Sequence, residues 1–267
     1  MDFIGYGAIF FAGLAIGLFG GGGSILTVPI LVYIFSIAPA MATVYSLFVV
    51  GVVACVGAVR LAKQNLVVFR VGLYLGGPAI VGVGLARRFI LPNLPEVVFN
   101  FGQLTVTKDS FIMLVFSLVM GAAAISMFHK REGGGLLNQQ EETTSWVLIP
   151  GGLLIGVVTG FVGAGGGFLL VPVLNNWVGL PIKRAIGTSM MIIFMKCLLG
   201  FLMDGQAMMT DWLFMGKILL SALSGMFVGT WFGQRIAGAT LRPLFGWGIA
   251  SVTVLILVRE LLGVMEY

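Results

Sequence analysis

Residues 17–31 read GLFGGGGSILTVPIL, and residues 160–174 read GFVGAGGGFLLVPVL. An offset of 143 residues lays Gly17 on Gly160, Gly20 on Gly163, Gly22 on Gly165, Gly23 on Gly166 and Pro29 on Pro172. The match continues downstream. ATVYS (42–46) corresponds to AIGTS (185–189), Pro39 to Pro181 after a one-residue slip, and GPAIVGVGLARR (77–88) resembles SGMFVGTWFGQR (224–235). Apolar segments resemble one another easily. A shared G-x-x-G-x-G-G followed by V-P, with matching downstream order, is not expected by chance. The chain is read as an internal duplication, the feature to seek before any other.

The surroundings of these motifs set the solvent. Of 267 residues, 59% are hydrophobic and 9% are charged, against about 25% charged in ordinary soluble domains. So few charges cannot cover a globule of this size, which excludes a soluble enzyme. No charged residue occurs between Asp2 and Arg60, or between Glu142 and Lys183. A bilayer-spanning helix needs roughly 20 apolar residues, so each stretch holds more than one span. The fold class is an all-α polytopic membrane protein. The 40 glycines are about twice the usual ~7%. In membranes glycine permits close helix approach and broken helices.

Each half parses into five apolar segments. The first half gives 3–19, 25–38, 43–61, 67–90 and 110–128. The second gives 146–163, 167–180, 186–203, 213–236 and 243–262. The domains follow as a first transmembrane repeat over 1–128, a polar linker over 129–144 and a second repeat over 145–267. The second segment of each half is short for a span. If all ten segments cross, the basic residues divide nine against five between the two sides; if the short ones do not, they divide seven against seven. The positive-inside rule expects a bias, which favours ten crossings over eight. Five per half makes the repeats inverted, with the termini outside and the linker cytoplasmic. The stretch 91–109 reads as an outside loop with a small hairpin. The opening Met-Asp-Phe has no basic n-region, so a cleaved signal peptide is not expected.

A glycine-rich break before an apolar helix frees backbone N–H groups at the helix start, where the dipole favours anions. In transporters such broken helices sit near the midplane, between repeats. Tight helix crossing is the plainer use of glycine, but four consecutive glycines point to broken backbone. There is no G-K-[ST] after the glycines and no βαβ context, so neither soluble phosphate motif applies. The residues read as an anion site are Gly20, Gly21, Gly22, Gly23 and Ser24 of the first break, Ser46, Gly163, Gly165, Gly166 and Gly167 of the second break, Thr188, Ser189 and Lys196. Hydroxyls can donate to an anion, although interhelical bonding is their common membrane role. Asn175 and Asn176 read as interfacial.

Lys196 is the sharpest single residue. It stands eight residues after Thr188 and eight before Asp204, ~12 Å from either end of its span. A lysine so deep is costly and marks a functional site by default, with snorkelling as the alternative. The matching first-half residue is Val53. No carboxylate lies well inside a span, except Asp204 near an end, which argues against acid-based coupling. One histidine (His129) and two cysteines (Cys55, Cys197) in the whole chain leave no expected metal site, disulfide framework or His-based catalysis.

GLFGGGGSILTVP (17–29), GFVGAGGGFLLVP (160–172) and KRAIGTS (183–189) resemble the TauE/SafE family of membrane transporters over nearly the whole chain. The resemblance implies transport, often export, of sulfur-containing anions such as sulfite, sulfoacetate or other organosulfonates. It also implies that the glycine motifs with Thr188 and Ser189 border the substrate path. Tyr45-Ser46 departs from the pattern that Thr188-Ser189 follows, and Lys196 is outside the motif. The expected partners are a small anion and the lipid bilayer of the inner membrane; no nucleic acid and no cofactor are expected, and a homo-oligomer stays open. The rival readings are a permease for another small anion, a membrane-embedded enzyme and a non-transporting assembly subunit. The enzyme would need a buried nucleophile with a base or metal ligands, which the sequence does not offer.

Overall fold

A computed structural model describes residues 2–21, 23–101, 104–128, 141–162, 165–204, 211–236 and 238–265. Ten α-helices are present among them: α1 (Asp2–Phe19), α2 (Ser24–Tyr33), α3 (Pro39–Ala62), α4 (Phe69–Leu85), α5 (Lys108–Phe128), α6 (Glu141–Val162), α7 (Gly167–Pro172), α8 (Ile182–Leu202), α9 (Trp212–Arg235) and α10 (Gly238–Met265). Single π-helical turns extend α4 over Ala86–Ile90 and α7 over Val173–Trp177. Strands β1 (Val97–Phe101) and β2 (Leu104–Thr107) pair antiparallel, giving the small hairpin the sequence suggested. Residues 141–144, read as the end of the linker, lie in α6. Residues 129–140 lie outside the described residues.

Five of these helices are long and apolar enough to cross a bilayer: 39–62, 69–90, 108–125, 182–202 and 212–233. Large apolar side chains cover the outer surface, with Phe3 94%, Leu202 73% and Leu213 72% exposed. Such a surface is stable against hydrocarbon and not against water. The helix starts are locally encoded. Proline stands at the first turn of α3 and just before α8, where its missing N–H costs nothing. Asp211 caps α9 by accepting from the Leu213 and Phe214 N–H groups at 2.9 and 3.1 Å.

The two halves exchange partners. Helix α1 packs along α9, and α6 packs along α4; α3 lies on α8, and α5 on α10. The α1–α9 and α6–α4 crossings are built on the same glycines. A Cβ on Gly13 would lie 2.8 Å from Ala222 Cα, and one on Gly156 would lie 2.7 Å from Ala79 Cα. A Cβ on Gly225 would lie 2.8 Å from the Leu14 nitrogen, and one on Gly82 would lie 2.7 Å from the Val157 nitrogen. Each residue in one contact is 143 positions from its counterpart in the other. The structure therefore corrects the sequence matching of 77–88 with 224–235, which shifts the pair by 147. Gly82 is the counterpart of Gly225, and Arg87 that of Thr230. A pattern of glycines spaced four apart slides by one helical turn without changing its look, so only the contacts fix its register.

The second segments are short. Helix α2 has 10 residues, about 15 Å, or half of a ~30 Å hydrocarbon core. It turns back along α1: the Phe35 ring lies edge-on to Tyr6 at 5.6 Å, and a Cβ on Gly23 would touch Ala15 and Ile16. The chain thus leaves α2 at the end where α1 began.

Candidate anion site at the glycine breaks

The two breaks meet. A Cβ on Gly167 would lie 2.7 Å from Gly21 Cα. Gly20 and Gly21 have φ of 67° and 84°, and Gly165 and Gly166 have φ of 66° and 63°, the left-handed region that side chains avoid. The two turns differ in detail. Gly165 and Gly166 immediately precede α7, whereas Gly23, the residue before α2, is right-handed. Gly22 and Gly163 lie outside the described residues. A Cβ on Gly165 would lie 2.7 Å from Val50 Cγ1, and one on Gly21 would meet Ile193 Cδ1. Val50 and Ile193 stand near the middles of α3 and α8, so the breaks sit at mid-span depth.

A cation and an orphan hydroxyl gather at the second break. A Cβ on Gly166 would lie 2.7 Å from Lys196 Nζ, and one on Gly165 would lie 3.5 Å from Ser24 Oγ and 3.3 Å from Cys197 Sγ. Lys196 is 1% exposed. Its ammonium donates to Thr159 Oγ1 at 2.8 Å, and among the described residues it has no carboxylate partner. Helix α8 ends at Leu202, so Lys196 is six residues, about 9 Å, from its C-terminal end. Its side chain runs inward and does not snorkel. Among the described residues, Ser24 Oγ and Ser46 Oγ are buried with no hydrogen-bond partner, an uncommon state for polar atoms.

The other two hydroxyls are engaged. Thr188 Oγ1 accepts from the Val68 N–H at 3.0 Å, just before α4. Ser189 Oγ reaches the Gly20 carbonyl at 2.6 Å and the Ile186 carbonyl at 2.8 Å, so it holds the first break in shape. The counterpart of Thr188 behaves alike: Tyr45 OH accepts from the Asp211 N–H at 2.9 Å, at the start of α9. In both halves the third helix ties down the fourth helix of the other half. Asn175 Nδ2 donates to the Leu180 carbonyl at 2.9 Å and so closes the turn after α7. Thr159 and the Tyr45 hydroxyl carried no sequence signal; one threonine or tyrosine in an apolar run is unremarkable until its neighbour is known.

A cavity of about 280 Å³ opens beside the first break, lined by Gly17, Leu61, Gln64, Lys183, Ile186 and Thr230 among others. Its wall residue Ile186 also packs on Gly20, where a Cβ would lie 2.7 Å from Ile186 Cα. Arg60 Nη1 donates to Thr230 Oγ1 at 2.8 Å at its edge. The site residues beyond are closed off, with Ser24, Ser46, Thr188 and Ser189 at 0% exposure.

Apolar helices in two partner-exchanging sets, broken by glycine where they meet, make a multi-pass membrane transporter. The chain belongs to the sulfite exporter TauE/SafE family, whose model matches residues 6–256. It is similar to a probable membrane transporter protein of Xylella fastidiosa, 27% identical over 266 residues, which is 96% of this chain and 94% of that one. It is also similar to the probable membrane transporter protein YunE of Bacillus subtilis, 25% identical over 248 residues, covering 87% and 86% of the two chains. A probable membrane transporter protein of Haemophilus influenzae is 27% identical over 257 residues, again covering 87% and 86%. No solved structure matches the chain.

Proposed function

We propose that this protein is an inner-membrane exporter of small sulfur-containing oxyanions, sulfite and organosulfonates among them. The observation that carries the reading is the buried Lys196 ammonium beside the Gly165–Gly166 turn, with no acidic partner among the described residues. An unneutralised cation in a low-dielectric core is costly, and a transported anion neutralises it. The Ser24 and Ser46 hydroxyls supply further donors. Ser189 and Thr188 shape the site without donating to the anion. The Gly21–Gly167 contact lets both breaks border one anion.

The ten-crossing, inverted arrangement fits the contacts. The α1–α9 and α6–α4 exchange, repeated at a constant offset, is what a two-fold axis between halves would produce. The return of α2 to the Tyr6 end of α1 suits a broken crossing better than a segment that stays on one side. With Arg60, Lys63, Lys183 and Arg184 at the cytoplasmic face, the 280 Å³ cavity is the inner vestibule and draws anions by its charge. An anion leaving a cell that is negative inside gains about 2.3 kcal/mol per charge per 100 mV, so export needs no buried acid for coupling. The test is flux from proteoliposomes loaded with sulfite, sulfoacetate, ethanesulfonate, sulfate or chloride. Protein-dependent efflux of the sulfur anions above chloride supports the reading, and no efflux of any of them ends it.

A further inference from the structure

At the end opposite the cavity lies a buried ion pair. Arg87, in the π turn after α4, has a side chain with 0% exposure. Its Nε donates to the Gly160 carbonyl at 2.7 Å, and its Nη1 donates to Asp204 Oδ2 at 2.7 Å. Its Nη2 is buried with no hydrogen-bond partner among the described residues. An arginine fork matches two oxygens of one oxyanion. Here the carboxylate engages one arm and leaves the other unused.

The cavity end shows the mirrored place open. By the 143 offset, Arg87 answers to Thr230, Gly160 to Gly17, and Asp204 lies one residue past the counterpart of Arg60. Thr230 and Gly17 line the cavity, and Arg60 holds Thr230. One end of the molecule therefore has a cation at an open vestibule, and the mirrored end has a cation plugged by a carboxylate.

We propose that Arg87 is a second oxyanion-binding residue on the outer side of the path, and that Asp204 is a tethered stand-in that occupies it while that side is closed. The inference rests on the anion-carrier reading above. A sulfite or sulfonate arriving from the centre displaces the Asp204 carboxylate, engages Nη1 and Nη2 together, and leaves as Asp204 returns. No bond is made or broken.

The test uses purified protein in proteoliposomes, with sulfite offered from the Arg87 side. Asp204→Asn removes the competitor, and its half-saturation concentration falls at least fivefold. The neutral pair Arg87→Gln with Asp204→Asn keeps both shapes, and its flux falls at least tenfold while its melting temperature stays within a few degrees of Asp204→Asn. A purely structural clamp would give the neutral pair wild-type flux and half-saturation, which overturns the assignment. Should the variants fail to fold, the wild type still decides. Phenylglyoxal modification of Arg87, read by mass spectrometry, slows at least fivefold with saturating sulfite. Modification at equal rates, or none at all, overturns the assignment. Wild type that carries no anion from either side sinks the transport reading itself, an outcome distinct from wild type that carries sulfite with the Arg87 assignment overturned.

Discussion

Lys196 on α8 donates to Thr159 on α6 across 2.8 Å, both residues buried. The bond ties the third helix of the second half to its first, one turn before the glycine break. It fixes where the ammonium stands, and that position gives the glycine turn a charge.

The helix exchange depends on glycine as empty space. Gly156→Ala and Gly13→Ala place a methyl against backbone of the facing helix, 2.7 Å from Ala79 Cα and 2.8 Å from Ala222 Cα. Overpacking of this kind costs about 1–3 kcal/mol, and both variants melt several degrees lower in detergent. Gly151→Ala meets nothing within 4 Å and melts at or above the wild-type temperature. Equal behaviour of Gly151→Ala and Gly156→Ala would contradict the crossing described.

The two mirrored caps are equivalent in role and not in residue. Thr188→Val removes the acceptor for the Val68 N–H, and Tyr45→Phe removes the acceptor for the Asp211 N–H. Each leaves one backbone donor unpaired, at about 1–3 kcal/mol. Both lower the melting temperature, and Thr188→Ser restores it. A Thr188→Val protein with unchanged melting would show that the cap contributes nothing.

The duplication, the helical class, the paired breaks and the deep lysine were all legible in the sequence, because each leaves a mark in composition or spacing. The helical state of residues 141–144 and the register between α4 and α9 were not. Polar residues mark both linkers and helix starts, and a glycine stripe repeats every turn, so contacts had to decide. The roles of Ser189 and Ser24 also depend on geometry. Both are serines in apolar surroundings, yet one holds the Gly20 carbonyl and the other has no partner.

The topology has a direct chemical test. In a background with Cys55 and Cys197 replaced by alanine, Gln64→Cys and Asn93→Cys each place one thiol on an exposed loop. With an impermeant maleimide on intact cells, Asn93→Cys is labelled and Gln64→Cys is labelled only after permeabilisation. Labelling of both from outside would contradict the ten-crossing, inverted arrangement.

In the proposed exporter the Lys196 ammonium neutralises the transported anion. The decisive measurement is sulfite efflux from proteoliposomes bearing wild type, Lys196→Arg or Lys196→Met, with melting temperatures taken on the same preparations. Lys196→Met folds at least as stably as wild type, since it removes a buried charge, and loses at least tenfold in efflux, while Lys196→Arg keeps part of it. Lys196→Met with wild-type efflux and half-saturation would show that the ammonium does not bind the anion.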